Sequence, residues 1–332
     1  MLFNYQKICS KYLEDLPGRT KDILLRRFGL DAPAGRGKRE TLASIGKNYG
    51  ITRERVRQIE KNGILKIKPK LKKDQKIFQH FTDSLKKFGD LKKEDILLDK
   101  LGRQEFNPHI FFLLTLADQF ERFSETRDLH SLWTIDPNSL TPAQEVIDSF
   151  YNELINTNKP LELKDYIPPL SLESEALLSY LEISKQIQQN PEGAFGLKDW
   201  PEINPRGVKD KAFLVFKKEK RPLHFSEVAD LVKPAALVQT VHNELIRDPR
   251  FVLVGRGLYV LGEWGYEKGT VKDIILKTLK KARKPLSKKE LVGEVLKQRF
   301  VKENTILLNL SNKKYFLRNS QGKYTLRNNG NF

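Results

Sequence analysis

The sequence predicts a mainly α fold, in which an N-terminal helix-turn-helix bundle precedes tandem winged-helix units of three helices and a β-hairpin wing. Three observations predict it. Residues 41–68 carry apolar side chains at helical spacing on both sides of a glycine-containing turn. Two C-terminal segments repeat one another at an offset of 63 to 65 residues. Each repeat ends in two short β-branched or aromatic runs around a glycine, which is a hairpin signal. With 332 residues the chain is too long for one ordinary core and long enough for several small ones.

Within TLASIGKNYGITRERVRQIEKNGILKIK (41–68), Leu42, Ile45 and Tyr49 recur at helical spacing. Gly50 ends that helix where a left-handed residue costs little. Thr52 is a good N-cap for a second helix, and Gly46 is small where two steeply crossing helices approach. On the second helix Val56, Ile59 and Gly63 form a narrow apolar seam. Arg53, Glu54, Arg57 and Gln58 cover nearly the opposite side. The seam docks the helix and leaves the charged face free. Arg and Gln can pair with two atoms of a base edge, and Glu can accept from cytosine. Thr52, Arg55 and Lys61 flank that face as candidate backbone contacts. A solvated helix that pairs its own polar groups, Glu54 with Gln58 or Arg57 with Lys61, accounts less well for Gly46, Gly50 and Thr52.

LPGRTKDILLRRFGLD (16–31) followed by residues 41–68 resembles the fourth conserved region of bacterial primary sigma factors, over roughly residues 10–68. The resemblance implies that this helix reads the −35 promoter element and that an apolar cleft binds the flap of the RNA polymerase β subunit. By matching position it makes Arg53, Glu54, Arg57 and Gln58 base-reading and Arg55 a phosphate contact. No region with aromatics that trap a melted −10 strand precedes it, so promoter melting by this chain alone is not expected. The loop APAGRGKRE (32–40) is longer and more basic than the resemblance implies.

KRPLHFSEVADLV (220–232) matches RKPLSKKELVGEVL (283–296), and LIRDPRFVLVGRGLYVL (245–261) matches LSNKKYFLRNSQGKYTL (310–326). Phe251, Gly257, Tyr259 and Leu261 align with Phe316, Gly322, Tyr324 and Leu326. Fainter copies fill the middle, with opening leucines at Leu91, Leu161, Leu223 and Leu286 and closing aromatics at Trp133, Trp200, Tyr259 and Tyr324. The expected organisation is therefore 1–70 for the helix-turn-helix, then winged-helix units at 77–136, 141–204, 208–266 and 268–328. The 208–266 unit, through PLHFSEVADLV and VHNELIRDPRFVLVGRGLYVLGEWG, resembles the HARE-type winged helix found in the RNA polymerase delta subunit. That family includes polymerase-contacting modules as well as DNA binders, so the resemblance leaves the partner open.

The formal charge of +18 points to a polyanionic partner. It is unevenly spread: +10 over 1–70, −8 over 71–205 and +16 over 206–332. Arg256, and Arg318 with Lys323, sit on the expected wings where they can lie along a phosphate backbone. The acidic middle reads as spacer, protein-contacting surface or an inhibitory brake on the basic ends. One cysteine, Cys9, excludes internal disulfides, and the five histidines show no metal-ligand spacing. GRGK (35–38) lacks the strand–loop–helix setting of a phosphate-binding loop. No catalytic constellation, cofactor, small-molecule substrate, signal peptide or membrane span is expected, which places the protein in the cytoplasm, on the nucleoid. The expected function is a transcription initiation or regulatory protein that binds promoter-like double-stranded DNA and contacts core RNA polymerase. The alternatives are a delta-like polymerase scaffold without specific reading, and the DNA-specificity subunit of a restriction or defence complex.

Overall fold

The computed structural model describes residues 3–30, 37–234 and 236–327, and it divides into two compact units with the boundary after Lys198. Part of the expected basic loop (32–36) and residue 328 lie outside the described residues.

The first unit opens with α1 (Tyr5–Leu13) and α2 (Gly18–Phe28), the latter ended by Gly29 at φ 69°. Then come α3 (Leu42–Tyr49) and α4 (Arg53–Ile67). After a 3-10 segment at Lys68–Asp74 follow α5 (Gln75–Lys87), β1 (Leu91–Lys93), α6 (Glu94–Leu101), α7 (Asn107–Leu116), β2 (Glu121–Phe123) and β3 (Leu132–Thr134). The sheet order β1-β3-β2, all antiparallel, is that of a winged helix. The unit continues with α8 (Leu140–Thr157), α9 (Ser174–Glu182), β4 (Ile187–Gln189) and β5 (Phe195–Leu197). Leu161 bridges Phe195, which places the opening segment beside the closing strand once more.

In the second unit α10 (Gly207–Glu219), β6 (Leu223–His224), α11 (Phe225–Leu231), α12 (Val238–Arg247), β7 (Phe251–Gly255) and β8 (Leu258–Leu261) form a winged helix with sheet order β6-β8-β7. Next come α13 (Val271–Ala282), α14 (Lys288–Gln298), α15 (Glu303–Leu310), β9 (Phe316–Arg318) and β10 (Tyr324–Leu326), and Leu286 bridges Tyr324. The two copies share their register. Leu223 faces Tyr259 as Leu286 faces Tyr324, and Phe251 faces Leu261 as Phe316 faces Leu326. Gly257 and Gly322 take positive φ, 70° and 78°, at the two hairpin turns.

Three details depart from the sequence expectation. The 1–70 segment does not close a core of its own: Tyr5, Cys9, Leu24, Phe28 and Ile67 share one buried cluster with Phe81, Leu97 and Phe112. Tyr5 donates to the Leu101 carbonyl at 2.7 Å, and the Phe28 and Phe112 rings meet at 4.9 Å. The apolar sides of α1 and α2 are thus covered from within by α7, and a cut between 70 and 77 would open this core.

In the 141–204 unit the expected second helix is only a 3-10 turn, Leu163–Asp165, because Pro168 and Pro169 follow and cannot donate helical hydrogen bonds. The aromatic facing its opening leucine is Phe195 rather than Trp200, which belongs to the second unit. In the preceding unit Leu91 faces Thr134, one residue past Trp133.

The two middle winged helices are fastened by polar contacts. Lys92, only 2% exposed, pairs with Glu182 at 2.5 Å, and Ser179 donates to the Leu91 carbonyl at 2.6 Å. The last two are fastened through Arg299. Its buried guanidinium donates to the carbonyls of Glu267 (2.6 Å), Gly269 (2.8 Å) and Gln298 (2.6 Å), pinning the linker between them. The Phe300 N–H donates to the Val254 carbonyl at 2.7 Å, and a Cβ on Gly255 would stand 2.8 Å from the Phe300 carbonyl oxygen. Only glycine fits there. Among the described residues no helix is long and apolar enough to cross a membrane, and no cluster of His, Cys, Asp or Glu could hold a metal ion.

Candidate nucleic-acid interface

The interface is built from α3, the turn after it and α4. Thr41 caps α3 by accepting from the Ser44 N–H at 3.1 Å, and Thr52 caps α4 by accepting from the Arg55 N–H at 3.2 Å. Gly50 ends α3 in the left-handed region at φ 63°. Gly46 is needed for the turn itself rather than for a helix crossing. A Cβ there would lie 2.6 Å from the Ile51 carbonyl oxygen, and the Ile51 N–H donates to the Gly46 carbonyl at 2.9 Å.

The seam is real and it has two partners. Val56 is fully buried against Ile23 and Ile45, with Leu42, Tyr49, Ile51 and Ile59 around them. About two turns further on, Gly63 lies against α2, where a Cβ would meet Thr20 Cγ2 at 2.8 Å and Leu24 Cδ1 at 3.0 Å. Arg27 of α2 reaches Glu60 of α4 at 3.5 Å, and burial pushes the Glu60 carboxyl above its ordinary value despite that cation. Tyr49 donates to Asp22 at 2.6 Å, tying α3 to α2. The helix presented to solvent is therefore held along its length.

Thr52, Arg53, Glu54, Arg55, Arg57, Gln58 and Lys61 are all exposed. Two ordered pairs run along this face. Arg57 donates from Nε (2.9 Å) and Nη2 (2.7 Å) to both oxygens of Glu54, and Arg55 Nη1 donates to Gln58 Oε1 at 3.1 Å. These are i,i+3 pairs, one step shorter than the i,i+4 pairing considered from sequence. The bonds from Arg57 hold the Glu54 carboxyl below its ordinary value, so it is an acceptor only. The Gln58 amide also supports the Glu54 carboxylate, and the Thr52 hydroxyl, which accepts within the cap, can still donate outward. Side chains already held by one another lose less rotamer freedom when they meet a ligand.

The wing residues stand apart from this face. Arg256 is exposed at the β7–β8 turn. Arg318 is exposed but bends back over its own hairpin, with Nε 3.3 Å from the Gly322 carbonyl oxygen and its guanidinium 5.9 Å from the Tyr324 ring centre. Lys323 is exposed beside it. Sequence reasoning missed how unevenly the C-terminal charge is divided. Residues 208–266 carry 10 Lys and Arg against 7 Asp and Glu, whereas 268–328 carry 17 against 4. A count by unit rather than by thirds of the chain would have found it. Sequence reasoning also left unplaced the Gly63 approach to α2 and the buried Arg299 clamp, neither of which has a local motif.

Residues 12–68 match the family described as Sigma-70, region 4. Over 69 residues the chain is 45% identical to the RNA polymerase principal sigma factor HrdD of Streptomyces coelicolor (strain ATCC BAA-471 / A3(2) / M145), covering 20% of this chain and 19% of that protein. The HrdD protein of Streptomyces viridifaciens matches to the same extent, and that of Streptomyces griseus is 43% identical over 63 residues, 18% of each chain. The chain thus spans about a fifth of the length of these curated relatives. The similarity covers α3 and α4, and it supports a DNA-binding, transcription-related role for this segment.

Proposed function

We propose that the protein binds DNA in transcription, reading a −35-like promoter element in the major groove with α4. Arg53, Glu54, Arg57 and Gln58 reach base edges, while Thr52, Arg55 and Lys61 hold the adjacent phosphates. The observation that carries this reading is the exposed polar face of a helix whose opposite side is locked to α2 and α3. Glu54 supports it further, because a carboxylate is costly beside phosphates and useful only against a donor such as the cytosine amino group. The protein is a non-enzymatic binder that works at the nucleoid in the cytoplasm.

Core RNA polymerase is the proposed protein partner. Because α7 fills the apolar side of α1 and α2, the contact is made elsewhere on the chain. A second reading, a polymerase-facing scaffold like the delta subunit, is favoured by one feature. Leu237 (79% exposed), at the start of α12, and Val238 and Ile246 (62%) on it are exposed, with Arg247 its one exposed basic side chain.

The test is quantitative binding of the full chain to a −35-like duplex and to a scrambled duplex across salt. The first reading expects tighter binding to the −35-like duplex, with the preference lost in Arg57→Ala or Gln58→Ala. Equal binding to both duplexes, together with co-purification with polymerase, establishes the second.

A further inference from the structure

The fourth winged helix holds most of the chain's excess positive charge, yet the helix that would enter a groove does not carry it. The outer side of α15 offers Lys302, Glu303, Asn304, Thr305 and Leu308, the last 75% exposed. Glu303 is spanned by Lys288 at 3.4 Å. A protruding leucine and a carboxylate make a poor reader of base edges.

The free cations lie on another side. Lys280, Arg283 and Lys284, at the C-terminal turn of α13, line an open groove of about 560 Å³ whose other wall is the β9–β10 hairpin, through Leu317, Thr325 and Leu326. No carboxylate lines it, and none of the three cations has an ion-pair partner among the described residues. The neighbouring groove between α13 and α14 is different: Lys277 pairs with Glu267 at 2.8 Å and Lys297 with Glu294 at 2.7 Å.

Glu290 is taken up by the cap of α14, its carboxylate accepting from the Ser287 N–H at 2.7 Å. Its carboxyl is held low chiefly by Ser287, with Lys284 and Lys323 as lesser influences. Compensation of the helix dipole accounts for only a fraction of this charge. The C-terminus of α13 is equivalent to about half a negative charge, against three unpaired cations.

We propose that this groove, and not α15, holds the phosphodiester backbone of duplex DNA. The site rests on the reading of the chain as a DNA binder and adds to it a contact blind to sequence. The Arg283 fork and the Lys280 and Lys284 ammonium groups meet phosphate oxygens and release counterions. Duplex DNA is favoured as the occupant by charge: no carboxylate lines the groove, and residues 268–328 carry 17 Lys and Arg against 4 Asp and Glu, which suits a continuous row of phosphates.

The experiment uses the full chain, with K280Q/R283Q/K284Q compared with Leu308→Gln and with the conservative K280R/K284R. Binding to the −35-like and the scrambled duplex is titrated from low to high salt, and melting temperature checks the fold. The triple variant is expected to lose at least tenfold in affinity on both duplexes alike. Its slope of log K against log salt should fall by about 2 to 3, near 0.9 per lost phosphate contact. L308Q and K280R/K284R should match the wild type.

An unchanged slope in a folded triple variant overturns the proposal, as does a loss confined to L308Q. The α4 reading fails separately. If the wild type shows no preference between duplexes while the triple variant still loses slope, the groove stands and the promoter reading does not.

Discussion

α4 and α15 both follow a helix and a short connection, and both present one side to solvent, but they are built for different tasks. α4 exposes Arg53, Glu54, Arg57 and Gln58, in which forks, a carboxylate and an amide are combined in ordered pairs. α15 exposes Leu308 and a carboxylate, while the cations of its domain sit on α13 and the hairpin. The first arrangement carries the side-chain types that can distinguish bases, flanked by Arg55 and Lys61 as charge. The second supplies charge and no base-edge chemistry. On the proposed reading, selectivity comes from α4 and a sequence-blind contact is added by the fourth winged helix.

The comparison breaks most completely if α4 loses its mounting. Val56→Asp places a carboxylate in the fully buried contact with Ile23 and Ile45, at a cost of several kcal/mol, about 3 or more for an unpaired buried charge. Selectivity between duplexes should vanish while the salt-dependent binding of the second unit persists. Chemical denaturation followed by fluorescence, with duplex titration, reads both. If V56D keeps its preference, the seam does not position the reader.

Next in size are Arg57→Ala and Gln58→Ala. Each should cost about 1–3 kcal/mol on the preferred duplex and much less on the scrambled one, where no base contact is lost. Arg57→Ala carries an additional signature, because it frees Glu54 on the same face. The Glu54 carboxyl is held low mainly by Arg57, so in R57A its pKa should move back up toward the ordinary glutamate value. Titration by NMR of the side-chain carboxyl would show this; an unmoved Glu54 would mean the pair is not formed in solution.

A backbone effect of intermediate size tests the turn. Gly46→Ala puts a methyl 2.6 Å from the Ile51 carbonyl oxygen, and overpacking of this kind costs about 1–3 kcal/mol. It should reduce stability and selectivity together, whereas Gly293→Ala, at a site with no atom near the new methyl, should reduce neither. Thermal melting of the two variants side by side is sufficient.

Much of this was legible before the structure. The two caps, the Gly50 stop and the buried seam follow from local rules, and so does the register of the last two hairpins, because a repeat of Phe, Gly, Tyr and Leu at fixed spacing fixes both strands at once. What was not legible depends on contacts between distant segments. The residues of α1 and α2 that pack on α7 look like any amphipathic stripe, and nothing in their spacing says which helix will cover them. The same fact removes a simple test of the acidic middle as a brake, since deleting 71–205 would strip the N-terminal core along with it. In the 141–204 unit the three-helix expectation fails at Leu163–Asp165, where Pro168 and Pro169 follow and stop a full helix.

A pH effect sharpens the comparison at the level of the two units. His109 is buried in the core shared by α1 and α7, and burial pulls its imidazole below the ordinary value of 6.5. The unfolded chain therefore takes up a proton near pH 6.5 that the folded unit refuses. Stability contributed in this way is present above that pH and is lost as pH falls through it. Mild acid should weaken the first unit, and His109→Gln should blunt that sensitivity. A pH series of denaturant midpoints, wild type against H109Q, reports it. Parallel curves would assign the acid sensitivity to other groups.

The smallest expected effect falls on Arg256. It is exposed at the tip of a wing whose domain carries little excess charge, and the helix beside it shows leucine and isoleucine to solvent. If that wing touches a phosphate, Arg256→Ala lowers binding to every duplex alike and reduces the salt slope by about 0.9, one contact's worth. If the third winged helix instead faces protein, the slope stays as it is, and Ile246→Asp on α12 becomes the variant that reduces co-purification with polymerase. The two substitutions therefore decide whether the last two winged helices, fastened together by Arg299, share one partner or divide two between them.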